Sequence, residues 1–301
     1  MAKKELEICA GIVLYNPDVS LLRKNVEALY NQVDQILFYD NGSMNLTEVK
    51  NEFSSYKKIT FKGTDENKGI AFALNRIVEW AMTNNFKWVL TMDQDSICAN
   101  NLIQKYSEYI SNSRVALISP FILNNGKVSL KEYKKIKLPK VSKILDPADC
   151  ITSGCLTNVE IVKRLGGFYD KLFIDCVDFD LNCKVLEAGY EILRVNDTYL
   201  IQKMGKMKKI HLFDKLQHLT KIRVFRRAKV VAVYPDKRLY YYARNTRYLR
   251  KTYKNHSKRT SAPFVFLYFL YFSIFYPKDR NRIKMWKSMI RGWKDYSILM
   301  K

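Results

Sequence analysis

The stretch WVLTMDQDSIC, residues 88–98, decides how this chain is read. Trp88 to Met92 is a mostly apolar run of strand length, and it ends in Asp93, Gln94 and Asp95. Side chains of an extended segment alternate with a period of two, so the two carboxylates face the same way. Two oxygen donors on one side of a strand end can share a hard divalent cation, magnesium or manganese, that carries a diphosphate. The same residues also suit a solvated turn, or a helix cap at Asp95 or Ser96. The neighbouring elements have to decide between these readings.

Working outward, EICAGIVLY (7–15) reads as a buried strand, and Val19, Leu22, Val26 and Leu29 then recur at helical spacing. QILFYD (35–40) is a second strand closed by NGS, and KITF (58–61) a third. From Gly69, Ile70, Leu74, Ile77, Val78 and Ala81 mark one face of a helix, and VALISP (115–120) is a further strand. This β-α-β-α-β order predicts an α/β domain of nucleotide-binding, Rossmann-like type, its sheet mixed but mostly parallel and flanked by helices. Ligands of such sheets sit outside the carboxyl ends of the strands, near the switch point. Asp40 and Asp93 both fall at such ends and are expected to share one crevice. The Lys-rich stretch 124–150 is expected to loop over that crevice, and a helix over 178–188 to stop at Gly189.

With 301 residues, 48% of them hydrophobic, the chain can bury a sizeable core without disulfides or metals. Six cysteines at 9, 98, 150, 155, 176 and 183 include no CxxC pair, and the start MAKKELEICAGIVLY lacks the long apolar run of a secretory signal. A reducing compartment is expected. Charge is unevenly placed: residues 1–200 hold 25 Lys/Arg against 25 Asp/Glu, whereas 201–301 hold 27 Lys/Arg against four Asp and carry the whole excess of +23. Such a field attracts polyanions, of which nucleic acid and an anionic membrane are the candidates.

Three more segments carry chemistry. YDNGS (39–43) is by default a tight turn, but Asp40 can also accept a hydrogen bond from a nucleobase N–H. NKGIAFALN (67–75) puts Gly69 at a helix start, which is either an ordinary beginning or a place where free N–H groups meet a phosphate. FIDCVDFDLNCK (173–184) sets Asp175, Asp178 and Asp180 among apolar neighbours, where an acid either caps the helix or is poised as a general base.

Taken in order, GIVLYNP (11–17), FYDNGS (38–43), NKGIAFALN (67–75), LTMDQDS (90–96), TSGCL (152–156), FIDCVDFDLNCKVLEAGY (173–190) and YYYARNTRYLRKTY (240–253) resemble the family 2 inverting glycosyltransferases of the GT-A fold, and within them the bacterial rhamnosyltransferase-like group. The resemblance implies that Tyr15, Asp40, Asn67, Gly69 and Asn75 line the nucleotide sugar. It puts Asp93 at the ribose and diphosphate, and Asp93 with Asp95 at a Mg2+ or Mn2+ ion. Asp178 would be the general base, where relatives carry a Glu-Asp pair and this chain has Val177-Asp178. Ser153, Gly154 and Asp175 would lie toward the acceptor. Gln202 stands where many relatives carry a metal-binding His, and an amide oxygen is a poorer ligand than imidazole for manganese, which leaves the ion open.

The activity so implied is transfer with inversion of a sugar from a nucleotide-sugar donor to a lipid-linked glycan acceptor in bacterial surface polysaccharide (O-antigen or capsule) synthesis. L-rhamnose from dTDP-rhamnose is the first expectation, with UDP-galactose, UDP-galactofuranose and UDP-glucose as other donors. The chain then divides into a GT-A domain over 1–205 and a basic, aromatic-rich helical region over 206–301. In the latter, Ala262 to Tyr276 is apolar but only 15 residues long, short of the roughly 20 needed to span a bilayer. A helix lying in an anionic membrane interface suits it, at the cytoplasmic face; a buried helix or a dimer contact is the plainer reading. A nucleic-acid binder would use the interleaved Tyr and Arg but leaves the acids of the neutral body unexplained, so no nucleic acid is expected. A nucleotidyltransferase would need a Gly-rich, Lys/Arg-bearing loop near the first strand, and YNPDVS is not one.

Overall fold

Every residue of β1 (Ile8–Leu14) is buried. The strand does not alternate because it is covered on both faces. Ile8, Ala10, Ile12 and Leu14 pack in one core with Leu22, Val26 and Leu29 of α1 (Val19–Leu29), while Gly11 on the other face lies against Ile77 of α3 (Ile70–Thr83). These helices form where the sequence repeats apolar residues at 3.6-residue spacing, and each buries that stripe on the sheet. The Asp18 carboxylate caps α1 by accepting the N–H groups of Ser20 and Leu21.

The computed structural model describes residues 8–124, 128–203, 207–222, 225, 228–253, 262–275 and 281–300. Its contacts divide the chain into two units: Met1–Phe173 with Val177–Lys203, and Ile174–Cys176 with Met204–Lys301. The first holds a nine-stranded sheet in the order β3-β2-β1-β4-β8-β6-β9-β5, with β7 also paired to β9. The strands are β2 (Gln35–Asn41), β3 (Ile59–Thr64), β4 (Trp88–Asp93), β5 (Ile97–Cys98), β6 (Val115–Asn124), β7 (Val141–Lys143), β8 (Cys155–Asn158) and β9 (Glu191–Gln202). β3, β2, β1 and β4 run parallel, β8 is antiparallel to both β4 and β6, and β9 is parallel to β6. The sheet is therefore mixed and mostly parallel.

The segment expected to loop over the crevice does something else. Apart from residues 125–127, which lie outside the described residues, it contains the short helix α5 (Leu130–Tyr133) and β7, which lines β9 antiparallel. The Tyr133 hydroxyl donates to the Asn196 carbonyl at 2.7 Å, and Asn196 Nδ2 donates to the Pro139 carbonyl at 2.9 Å. An uncovered strand edge exposes unpaired backbone groups, and this segment satisfies those of β9. α7 (Val177–Glu187) then follows, one residue shifted from its expected limits, and Gly189 past its end has φ 77°.

In the second unit a two-stranded ribbon, β10 (Met207–Lys209) with β11 (Val230–Ala232), accompanies α8 (His211–Thr220), α9 (Asp236–Thr252), α10 (Ala262–Phe275) and α11 (Arg282–Lys294). Helices α9 and α11 pack closely: Leu239 and Ala243 meet Met285 and Met289 in a small core, and Gly292 brings the backbone of α11 against the Tyr240 carbonyl. Guanidinium groups stack on rings between the two helices, Arg291 over Tyr240 at 4.7 Å and Arg247 over Trp293 at 5.0 Å. The Arg/Tyr alternation of the sequence is thus used inside this unit. Among the described residues no helix is long and apolar enough to cross a membrane.

Candidate active site

The strand order reverses at β1, which has β2 on one side and β4 on the other, both parallel to it. A crevice opens at such a point because the connections leave in opposite directions. In register, Asp40 lies beside Leu14 and Asp93 beside Val13, so both carboxylates flank the end of β1, where Tyr15 follows, half exposed.

On the β2 side, Asp40 is 4% exposed and its carboxylate accepts the N–H groups of Gly42 (3.2 Å) and Ser43 (3.1 Å). This is the turn the sequence predicts, and Gly42 has φ 85° with the backbone of Glu66 and Asn67 less than 3 Å from where a Cβ would be. Asn41 holds that second strand end: its Nδ2 donates to Asn67 Oδ1 at 3.2 Å, and its Oδ1 accepts the Lys68 N–H at 3.0 Å. Asn67 Oδ1 also accepts the Gly69 N–H at 2.9 Å. A cavity of about 400 Å³ next to Asp40 is lined by Gly42, Ser43, Phe61, Lys62 and Thr64. Gly69 has φ 90°, and a Cβ there would come 2.6 Å from the Phe173 carbonyl, which accepts the Ile70 N–H at 2.7 Å. Asn75 points elsewhere. Its amide holds the Phe168 carbonyl (2.7 Å), the Asp170 carboxylate and the Phe168 N–H (2.9 Å), bracing the loop after α6 (Val159–Arg164).

On the β4 side, the turn after Asp93 is held from three directions. Gln94 pairs with the Tyr15 backbone both ways, Oε1 accepting its N–H at 2.8 Å and Nε2 donating to its carbonyl at 3.2 Å. Asn25 of α1 donates from Nδ2 to the Asp93 carbonyl at 2.6 Å. Ser153 Oγ accepts the Asp93 N–H at 3.1 Å. Burial pushes the Asp93 carboxyl up to about 6, helped by the charges of Asp95 and Asp178 and opposed by hydrogen bonds from Ser153 and Gln202. Burial also raises the Asp95 carboxyl, against the pull of its own backbone N–H and of Lys203. Asp93, Asp95, Asp178, Ser153, Gln202 and the cation Lys203 therefore form one electrostatic cluster. Among the described residues no group of three or more His, Cys, Asp or Glu gathers as a metal site.

Ser153 is 1% exposed, and Gly154 is fixed by its N–H to the Thr91 carbonyl (2.8 Å) and by the Tyr106 hydroxyl on its own carbonyl (2.8 Å). Both stand beside the end of β4, just before β8 pairs with it, and Ser153 holds the Asp93 backbone. Asp178, in the first turn of α7, accepts the Phe179 N–H at 2.8 Å. Asp175 belongs by its contacts to the second unit. There Arg238 Nη2 donates to its carboxylate at 2.8 Å and Nε at 3.1 Å, and Asn245 Nδ2 bonds its carbonyl at 2.9 Å. Asp175 and Cys176 both hold left-handed backbone, φ 64° and 63°. Asn25, Asn41, Gln94 and Lys203 do not stand out in the sequence; the one signal is an Asn in the apolar stripe of α1.

Residues 9–166, more than half of the chain, match the model of the family described as glycosyl transferase family 2. The chain belongs to the family 2 glycosyltransferases. A relative from Shigella flexneri, dTDP-rhamnosyl transferase RfbF, is 25% identical over 207 residues, 66% of this chain and 69% of that protein. Among solved structures, Staphylococcus aureus TarS 1–349 in complex with UDP-GlcNAc aligns with a TM-score of 0.59 at 13% identity, over 96% of this chain and 80% of that one. GalNAc-T7 with UDP, GalNAc and Mn2+ aligns at 0.55 and 16% identity over 67% of this chain, which spans only 44% of that structure. Those structural likenesses show that this family 2 glycosyltransferase has the GT-A fold.

Proposed function

We propose that this family 2 glycosyltransferase moves a hexose with inversion from a nucleoside diphosphate donor, L-rhamnose from dTDP-rhamnose in the first instance, to a hydroxyl of a lipid-linked glycan in the building of a bacterial surface polysaccharide. The observation that carries the reading is the convergence of Asp93, Asp95 and Asp178, from two separate parts of the sequence, on one electrostatic cluster at the sheet's switch point. The similarity to a dTDP-rhamnosyl transferase favours rhamnose.

In this reading Tyr15 and Asp40 take the nucleoside, and the Asn67–Gly69 turn, fixed by Asn41, walls its pocket. The donor set at Asp93 and Asp95 is hard oxygen only, which fits magnesium or manganese, and these two carboxylates would hold such an ion. When bound, that ion neutralises charge on the departing nucleoside diphosphate. Lys203 adds a second positive charge beside Asp95. The Asp178 carboxylate takes the proton of the acceptor hydroxyl as its oxygen bonds to the anomeric carbon and the bond to diphosphate breaks on the opposite face. No covalent sugar intermediate is involved. The basic second unit, with its exposed apolar residues on α11, holds the enzyme on the inner face of an anionic membrane where a lipid-linked acceptor resides.

The test is donor turnover by the purified protein with dTDP-rhamnose, UDP-galactose, UDP-galactofuranose and UDP-glucose, each with magnesium, manganese or a chelator. Selective, chelator-sensitive release of dTDP from dTDP-rhamnose is expected; a response to a UDP-sugar alone would move the donor assignment, and none at all would remove the proposal. Asp178→Asn is expected to cut transfer by at least ~100-fold while nucleotide binding stays within a few-fold. Substantial transfer by that variant would sink the base assignment.

A further inference from the structure

We propose that Asn25, on the inward face of α1, and Gln32, in the turn that follows it, are positioning residues that set the geometry of the carboxylate turn Asp93–Asp95. This rests on the reading of that turn as the place where a divalent cation binds. Gln32 lies in the turn after α1, three residues past its end, where its N–H bonds the Leu29 carbonyl at 2.8 Å. Asn25 Nδ2 donates to the Asp93 carbonyl at 2.6 Å. Gln32 Nε2 donates to the Ala99 carbonyl at 2.9 Å and the Ala28 carbonyl at 2.7 Å, and its Oε1 accepts the Ile103 N–H at 3.1 Å. The segment that carries Asp93, Gln94, Asp95 and Ser96 is thus tied at one end to α1 and at the other to the turn that follows it.

The cost of the arrangement argues for its purpose. Asn25 is 0% exposed and lies between Leu22, Val26 and Leu29, where an apolar side chain of the same size would pack without penalty. Only half of its amide is satisfied: among the described residues Asn25 Oδ1 has no hydrogen-bond partner, and neither has the hydroxyl of Ser96, also 0% exposed, at the other side of the turn. Leaving a buried polar atom unpaired costs about as much as the bond from Nδ2 returns, so stability alone does not account for an Asn here. What the bond does accomplish is to fix the peptide that follows Asp93, and with it the direction of both carboxylates. Cation sites tolerate little error in ligand placement, and groups that orient the ligands affect affinity strongly without touching the ion.

The experiment compares wild type, Asn25→Leu, Gln32→Met, Asp95→Ala and the core control Val26→Ala. Each is melted in chelator, and each is titrated with Mn2+ alone and with Mn2+ plus dTDP or UDP, following free Mn2+ by electron paramagnetic resonance. Asn25→Leu is expected to melt within a few degrees of wild type, or above it, and to bind Mn2+ with nucleotide at least tenfold more weakly. Gln32→Met is expected to weaken binding as well, and the metal concentration for half-maximal turnover should rise in both while turnover at saturating metal changes less. Affinity unchanged in both amide variants overturns the proposal. So does an affinity loss no larger than that of Val26→Ala at the same loss of melting temperature, since that marks general loosening. If wild type shows no nucleotide-dependent Mn2+ binding, or Asp95→Ala binds as wild type does, the metal reading itself fails and takes the proposal with it.

Discussion

At the carboxyl end of β4 the half-buried carboxyl of Asp93 is pushed up to about 6 from an ordinary 3.8. A carboxyl raised on folding disfavours the folded state wherever it must ionise. The cost is complete above pH 6 to 7, fades as pH falls through the folded value, and is gone below the unfolded one. Asp93→Asn is therefore expected to stabilise the chelated protein by about 1–3 kcal/mol at pH 8, with a smaller gain at pH 5, while donor turnover is lost. Thermal melts at the two pH values check this, and destabilisation at pH 8 would mean that the bonds from Ser153 and Gln202 outweigh burial. Gly69 gives a second prediction at this scale: with φ 90° and the Phe173 carbonyl 2.6 Å from where an added methyl carbon would sit, Gly69→Ala is expected to cost about 2–4 kcal/mol by denaturant unfolding. An unchanged midpoint would show that the start of α3 can shift freely. Asp40 and Asp93 are legible in the sequence because each ends an apolar run followed by turn residues. Asn25 and Asn41 are not, since their partners are distant in the chain. Asn75 misleads for the opposite reason: it is close to Gly69 in sequence, but the helix turns its amide toward Phe168 and Asp170.

Among the elements, the long buried strands and the two amphipathic helices α1 and α3 show their periodicity plainly. β5 and β8, two and four residues long, carry no period to read, yet β8 joins the halves of the sheet and β5 ends the turn at Asp93–Asp95. The edge role of β7 is likewise hidden, because it depends on β9 needing a partner. α11 carries a second stripe that bears on the membrane proposal. Met285, Met289 and Gly292 face the core, while Ile283 (68% exposed), Trp286 (38%) and Ile290 (50%) face out with Lys287 and Lys294 along the same side. Apolar and cationic groups on one outward face match an anionic lipid surface, whereas Tyr240, Trp293 and Tyr296, rings that could stack on bases, are engaged with arginines. Wild type is expected to sediment with phosphatidylglycerol-containing vesicles at about 0.1 M salt, where surface charge is only partly screened, and much less with phosphatidylcholine alone. Replacing Ile283, Trp286 and Ile290 together by Ser should reduce that binding at least fivefold without altering donor turnover in solution. Equal binding by the triple variant would assign the membrane role to another surface.

Over the whole molecule, two quantities follow from sequence alone and one does not. The neutral first two thirds and the +23 of the last third are countable, as is the number of cysteines. Which thiols are accessible needs the fold. None of the six is in a disulfide among the described residues, and five are buried while Cys176 is partly exposed. Burial raises the thiols of Cys9, Cys98 and Cys183, which withholds the reactive thiolate. Native protein should therefore give one fast equivalent with an aromatic disulfide reagent and six after denaturation, and reductant should leave the melting temperature unchanged; three or more fast equivalents would contradict the packing. The order of the strands also bears on how the molecule is made. β1, β2, β3 and β4 come first along the chain, whereas β8, Ser153, Asp178 and Gln202 all come later. At ribosomal speeds of ~5–20 residues per second, the interval between the emergence of Asp93 and of Asp178 is on the order of ten seconds. For that time a nascent chain holds Asp40 and Asp93 without Asp178, and β4 keeps one side open until its antiparallel neighbour arrives, a window in which a chaperone or another growing chain can meet it.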